Sequence, residues 1–331
     1  ELRYLYQSSN GLIISKDWLE TNNDMRYAMS NTGNANDPSH LLLRTDDGLN
    51  IYSIPAGQSI TAVAANRTND SNSTVDGFTL FFRNSAGEVS SQHFDQNGIT
   101  DQSLQNLSGI ALTQAEIATR ADLNANGVIG AAIQDLLFDA NNDDMMMASG
   151  SLRNAYQSNQ GIIITRNTIW DASGGSTADL RNLDTSNSSW DGPGAQLLVD
   201  GNNAFTLNAG ESIVGVRILR DSGESTYNEY FTGTDVWIKD DSTNTIRVEY
   251  FNADGYRQAD DTFTVDLSDE FALLEEEFYS LLDLNQDGIV GISLTAELAS
   301  GNPTQPNQSW NSGRSRFVYS STKGLILTQE R

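Results

Sequence analysis

The chain has no cysteine. That excludes a disulfide framework, a thiolate metal site and a cysteine nucleophile. Secreted eukaryotic domains of this length commonly carry disulfides, so the absence points towards a bacterial or archaeal exoprotein. Lysine is nearly missing, with only Lys16, Lys239 and Lys323 among 331 residues. Basic residues number 19 against 44 acidic ones, a formal net charge of −25. Nucleic acid and anionic membranes bind through Lys and Arg, so neither is an expected partner. The balance suits a divalent-cation binder, a protein living in salt where screening blunts self-repulsion, or simply a soluble acidic surface. Histidine is limited to His40 and His93. No apolar run approaches the roughly 20 residues of a membrane helix, so no membrane span is expected. Glu1 opens neither a basic start nor an apolar stretch, the marks of a signal peptide. The sequence therefore reads as a mature form or a piece of something longer.

What the sequence does contain is repetition. Tyr6-Gln7-Ser8-Ser9-Asn10-Gly11-Leu12-Ile13-Ile14-Ser15 matches Tyr156-Gln157-Ser158-Asn159-Gln160-Gly161-Ile162-Ile163-Ile164-Thr165 at an offset of 150. Ala56-Gly57-Gln58-Ser59-Ile60 matches Ala209-Gly210-Glu211-Ser212-Ile213 at 153, and His93-Phe94 matches Tyr250-Phe251 at 157. Asp122-Leu123-Asn124 matches Asp283-Leu284-Asn285 at 161. Offsets that grow in one direction are what a duplication with small loop insertions produces. A third start, Tyr319-Ser320-Ser321-Thr322-Lys323-Gly324-Leu325-Ile326-Leu327-Thr328, follows. The expected organisation is module one over 1–150, module two over 151–313, and the first strand of a third repeat over 314–331.

Within a module the pattern is mostly strand, so the expected fold class is mainly β: two tandem β-rich, sandwich-like modules. Residues 41–54 read as a hairpin about Asp46-Asp47-Gly48, and 197–207 as its counterpart about Asp200-Gly201. Helical periodicity is confined to 268–278, with Ser268 or Asp269 as N-cap, and to a weaker equivalent over 113–120. Segments 66–74 and 172–191 are polar loops. Residues 139–144 are oxygen-rich but lack a turn glycine, and read as a linker.

Each helix runs into the sharpest motif in the chain, D-x-N-x-[DN]-G-x-[IV]-G. Side-chain oxygens at loop positions one, three and five can converge on a hard cation, glycine at six makes the turn, and a carbonyl at seven adds an oxygen. The expected calcium ligands are Asp122, Asn124, Asn126 and the carbonyl of Val128 in module one. In module two they are Asp283, Asn285, Asp287 and the carbonyl of Ile289. Position twelve, where a bidentate Glu belongs, holds Ile133 or Leu294. Glu116 and Glu277 stand six residues before the loops and are expected to reach back as the missing carboxylates. Asp287 adds a charge that Asn126 lacks, so the second loop should bind more tightly. An Asx-rich turn without metal is the plain alternative.

These residues, with Val236-Trp237-Ile238-Lys239 and Tyr250-Phe251-Asn252-Ala253-Asp254-Gly255, resemble the tryptophan-rich C-terminal domains of cyanobacterial and other bacterial exoproteins. The resemblance covers about half of each module and is best from Leu197 to Gly291. Module one departs from it, with Leu80 about where Trp237 stands and Asn126 in place of Asp. It implies a secreted, repeat-bearing protein of the cell surface or extracellular matrix, and no particular activity.

No H-E-x-x-H, P-loop, G-x-S-x-G or dinucleotide fingerprint is present. His93 has Tyr250 as its counterpart, which rules out a histidine shared by both modules. A carboxylate pair of the glycosidase kind could hide among so many acids, but the repeat argues against an enzyme. Trp18 and Trp170 recur at matching places and read as core anchors. Trp190 and Trp310 sit in polar surroundings and are candidates for glycan or subunit contact. The expected function is a calcium-stabilised extracellular structural subunit of a surface layer, sheath, filament or adhesin stalk. It would self-associate head-to-tail through a terminal strand carrying Tyr319, Leu325, Ile326 and Leu327. The alternative is a carbohydrate-binding module of a larger secreted protein, with polysaccharide as partner.

Overall fold

The computed structural model describes residues 4–8, 11–15, 40–66, 75–140, 153–166, 169, 179–180, 193–222, 229–291, 294–300, 317–321 and 324–328. The protein is mainly β, with antiparallel sheets and two α-helices among the described residues. Module one opens with β1 (Tyr4–Ser8), β2 (Gly11–Ser15) and β3 (His40–Leu42), paired in that order. A second sheet follows in sequence order: β4 (Gln58–Asn66), β5 (Gly77–Asn84), β6 (Val89–Asp95) and β7 (Gln105–Leu107). Helix α1 (Gly109–Thr119) comes next, then β8 (Ile133–Phe138).

Module two repeats this plan. Strands β9 (Asn154–Ser158), β10 (Gly161–Thr165) and β11 (Ala195–Leu197) form one sheet. A short hairpin, β12 (Val199–Asp200) with β13 (Asn203–Ala204), leads on. The larger sheet runs β14 (Glu211–Ser222), β15 (Glu229–Asp240), β16 (Thr245–Asn252), β17 (Phe263–Asp266). Helix α2 (Glu270–Ser280) closes the module. Then β18 (Leu294–Ser300), β19 (Phe317–Ser321) and β20 (Gly324–Thr328) form a further sheet.

The two larger sheets match in register. β4 and β5 slip between Ile60 and Ala62, and β14 and β15 slip between Ile213 and Gly215, the matching place. Gly77 pairs with Asp95 as Gly233 pairs with Asn252. A Cβ at either glycine would lie 2.3 Å from Phe94 O or 2.2 Å from Phe251 O, so both positions need the missing side chain. Tyr52 meets Phe94 edge-on at 4.9 Å, and Phe205 meets Phe251 likewise at 5.0 Å.

Three layers make a module. The inner faces of its two sheets enclose the main core: Leu12, Ile14 and Leu43 against Phe78, Leu80 and Phe94, and equivalently Ile162, Ile164 and Leu198 against Val236, Ile238 and Phe251. The outer face of the larger sheet is covered by the helix and the loop after it, through Phe81, Val89 and Leu123, or Trp237, Ile246 and Leu284. Ile162-Ile163-Ile164 is buried throughout because β10 is covered on both faces, which a continuous apolar run demands. Ile162 and Ile164 face their own module; Ile163 packs with Ile117 of α1.

Strand β8, which follows the first loop, lies beside β9, so residues on both sides of position 150 share one four-stranded sheet, β11-β10-β9-β8. Strand β18 pairs with β19 in the same way, with breaks in register at equivalent steps.

Several elements differ from the sequence expectation in extent. The hairpin over 41–54 is reduced to a bridge between Arg44 and Ile51, while β3 pairs with β2. Asp47 explains the tightness: it accepts from Leu49 N, Asn50 N and Thr45 Oγ1 and closes the turn early. Helix α1 begins at Gly109, four residues before the expected start, and its N-cap Ser108 makes no side-chain cap bond. Asp269 caps α2, accepting from Phe271 N and Ala272 N. Residues 141–144 of the linker, and Trp18, Trp170, Trp190 and Trp310, lie outside the described residues.

Candidate metal centre

The two loops share one backbone path. Ala125 and Gln286 sit at φ 60 and 63, Gly127 and Gly288 at 87 and 85, and Gly130 and Gly291 at 71 and 69. Left-handed residues at positions four, six and nine curl the chain around its own acidic side chains. In module two, Asp283 accepts from Asp287 N at 3.1 Å and Gly288 N at 2.7 Å. Asn285 Oδ1 accepts from Asp287 N at 2.8 Å, and Asp287 Oδ1 from Ile289 N at 2.9 Å. Module one repeats every bond: Asp122 to Asn126 N and Gly127 N, Asn124 to Asn126 N, and Asn126 to Val128 N. The side-chain oxygens of positions one, three and five are thus gathered on one short turn.

Glu116 and Glu277 are placed otherwise than the sequence reading expected. Each is 1% exposed and turns into the loop's backbone. Glu277 Oε1 accepts from Leu284 N at 3.1 Å and Asn285 N at 3.3 Å, and its Oε2 from Gly291 N at 2.9 Å. Glu116 does the same for Leu123, Asn124 and Gly130. A carboxylate held by three amides is a scaffold: it pins positions two, three and nine of the loop to the helix. Burial pushes both acids above the ordinary range, opposed by those amides, with the charge of Asp122 or Asp283 adding to the rise.

Among the described residues, no group of three His, Cys, Asp or Glu side chains stands ready to hold a metal. The loops offer a mixed oxygen set instead: one carboxylate and two amides in module one, two carboxylates and one amide in module two, plus the carbonyl of Val128 or Ile289. Oxygen alone, with neither sulfur nor imidazole, fits a hard cation of the calcium kind, water completing the shell.

The surroundings of the loops differ. Ile129 N in the first loop donates to Asp179 Oδ2 of module two at 3.1 Å, and Leu180 of module two, 1% exposed, packs on Ile117. The second loop leaves Ile289 39% and Phe278 48% exposed. Asp179 belongs to a polar stretch that the sequence presents only as loop, so no local signal marks it. The first loop also borders an open groove of about 640 Å³ with Ser59, Arg83 and Asn84. No aromatic side chain lines it, so it lacks a platform for stacking sugars.

The register also corrects a correspondence. Phe81, not Leu80, stands where Trp237 does, since Ala62 faces Phe81 as Gly215 faces Trp237. Trp237 Nε1 donates to Glu276 Oε1 at 2.7 Å, and both are buried. Asp235 lies near this pair. Burial, then the charge of Glu276, pushes its carboxyl up to about 6, with Arg217 opposing the rise. Sequence reasoning passed over this group because single acids in an acidic chain carry no pattern. His93 Nδ1 lies 2.6 Å from Asp101 Oδ1, while its counterpart Tyr250 donates to Thr232 O.

No known family model matches the chain, and neither a curated protein nor a solved structure matches it. The resemblance to tryptophan-rich C-terminal domains therefore stands on the residues quoted for it.

Proposed function

We propose that the protein is an extracellular structural subunit, built of calcium-stabilised β modules that associate head-to-tail. The observation that carries this reading is β8: a strand following module one completes the sheet of module two. Strand addition between successive units is therefore already a joint of this chain. Strand β18 makes the same pairing with β19, whose Tyr319, like Leu325, Ile326 and Leu327 on β20, belongs to the repeated start. A joint that leads from one unit to the next need not close, and produces a fibre. Calcium would sit on Asp283, Asn285, Asp287 and the Ile289 carbonyl, and on the corresponding module-one residues. Its role there is to neutralise acids that already share a turn. A net charge of −25 makes such neutralisation useful to assembly.

Molar mass by light scattering tests the reading. Large species in millimolar calcium that fall to the 36.1 kDa chain in excess chelator are the expected result. A 36.1 kDa species in both conditions would refute calcium-dependent assembly. In calcium titrations, Asp283→Ala is expected to lower affinity by roughly tenfold or more, and Asp122→Ala to remove a weaker event. Identical titrations for wild type and both variants would take calcium out of the proposal.

A further inference from the structure

The junction inside the chain shows how one module sits on the next. Ile117 of α1, 8% exposed, and the half-buried Ile110 pack with Ile163 and Leu197, the outward residues of β10 and β11. Ile163 is 0% and Leu197 1% exposed at this contact. Each half of the interface recurs elsewhere in the chain, and in both places it is more exposed among the described residues.

The helix half recurs on α2. Phe271 and Phe278 occupy the places of Ile110 and Ile117, at the offset of 161 that relates the loops. They are 79% and 48% exposed, and Ile289 in the loop that follows is 39% exposed. The sheet half recurs on β2 and β3. Ile13 pairs with Leu42 as Ile163 pairs with Leu197. The Ser8 hydroxyl donates to Gly11 O just as that of Ser158 donates to Gly161 O, which fixes the correspondence. Ile13 and Leu42 are half-buried where their module-two counterparts are fully buried.

We infer that the α2 face formed by Phe271 and Phe278 seats on the β2–β3 face of a second copy of this chain, around Ile13 and Leu42. The internal contact of α1 with β10 and β11 is the template. The two faces differ, so the contact is heterologous and repeats from copy to copy. Aromatic side chains at the exposed site enlarge the apolar area relative to Ile110 and Ile117, as an association surface requires. Both partners are acidic, so association strengthens as salt screens them. The inference deepens the assembly reading but does not depend on calcium.

Sedimentation velocity on the full chain, over a concentration series with and without calcium, tests it. Phe271→Asp, at a site too exposed to threaten folding, and Phe278→Asp are each expected to weaken association by roughly tenfold or more. Ile13→Asp is expected to do the same from the other side, with Leu42→Ser as a milder variant should circular dichroism show loss of fold. An equimolar mixture of Phe278→Asp and Ile13→Asp retains one intact face of each kind and should stop at dimers. Association lost in these variants, yet indifferent to chelator, would uphold the contact while refuting the calcium reading. A monomer at every concentration and salt, or assembly untouched by the α2 variants, would overturn it. So would a monomer whose α2 amides are released to hydrogen exchange by Ile326→Asp, since the face would then belong to the chain's own β18–β20 sheet.

Discussion

Where module one carries Gln58, Ser90, Gln92 and Thr100, module two carries Glu211, Arg247, Glu249 and Arg257. The backbone pairs alike in both. In module one, Ser90 Oγ donates to Gln58 Oε1 at 3.0 Å and the Gln92 amide donates to Gln102 O. In module two, Glu249, fully buried, receives Arg247 and Arg257, while Arg247 also bonds Glu211 at 2.8 Å and Arg257 bonds Asp200 at 3.1 Å. Burial alone would raise the Glu211 carboxyl, but bonds from Asn208 and Arg247 prevail and hold it low.

The opposite face of the same sheets shows a second exchange. Ala62, Ala64, Thr79, Phe81, Ala115 and Ala121 in module one correspond to Gly215, Arg217, Asp235, Trp237, Glu276 and Leu282 in module two. Gly215 has room for nothing more: a Cβ there would lie 2.2 Å from Leu282 Cδ1 and 3.2 Å from the Trp237 ring. Volume lost at one position is regained at its neighbours, so close packing is kept while polarity changes. One fold thus carries a nearly neutral interior in one copy and a charged one in the other.

The largest contrast is expected at Glu249. Replacing it by Ala strands two arginines and should destabilise module two by about 3 kcal/mol, whereas Gln92→Ala should cost module one about 1 kcal/mol. Hydrogen exchange read separately over β4–β7 and β14–β17 measures both; equal losses would break the contrast.

Asp235 comes next. Its folded-state value lies above the ordinary 3.8, so its contribution is fully present below 3.8 and is lost as pH rises through about 6. The groups facing it are Glu276, Arg217 and Tyr250. Asp235→Asn should therefore stabilise module two by about 2 kcal/mol at pH 7.5 and leave it unchanged at pH 3.5. Melting curves at the two pH values decide it, and a pH-independent effect would contradict the burial argument.

The smallest effect is a coupling. Trp237→Phe leaves Glu276 without its donor, and adding Glu276→Ala rebuilds the pair found in module one. A double-mutant cycle should give about 1 kcal/mol of interaction. Zero coupling would mean that the two exchanges are independent.

The strands and the turns of both loops were legible in the sequence because they rest on local pattern: alternation and glycines at fixed spacing. Trp237 was misaligned by one residue because the turn between β15 and β16 is one residue longer than that between β5 and β6, a difference that only the pairing of the strands displays. Glu116 and Glu277 were singled out from the sequence as carboxylates that reach the loops, and in the structure they reach the loop backbone. Spacing brings a carboxylate near a loop, but only the folded backbone shows that three amides meet it first. Asp179, which joins the first loop from 50 residues away, was invisible for the same reason.

Strand β8 separates the unit that was copied from the unit that holds together. A protease that cut once between Phe138 and Asn154 would break the covalent chain and leave the two pieces attached. The six residues of β8 would stay laddered to β9, with Leu137 and Phe138 still packed against the module-two core. The fragments would run separately in detergent and together under native conditions. A preparation nicked in this way would keep its shape and its mass in solution, and its continuity would no longer reside in the peptide bond.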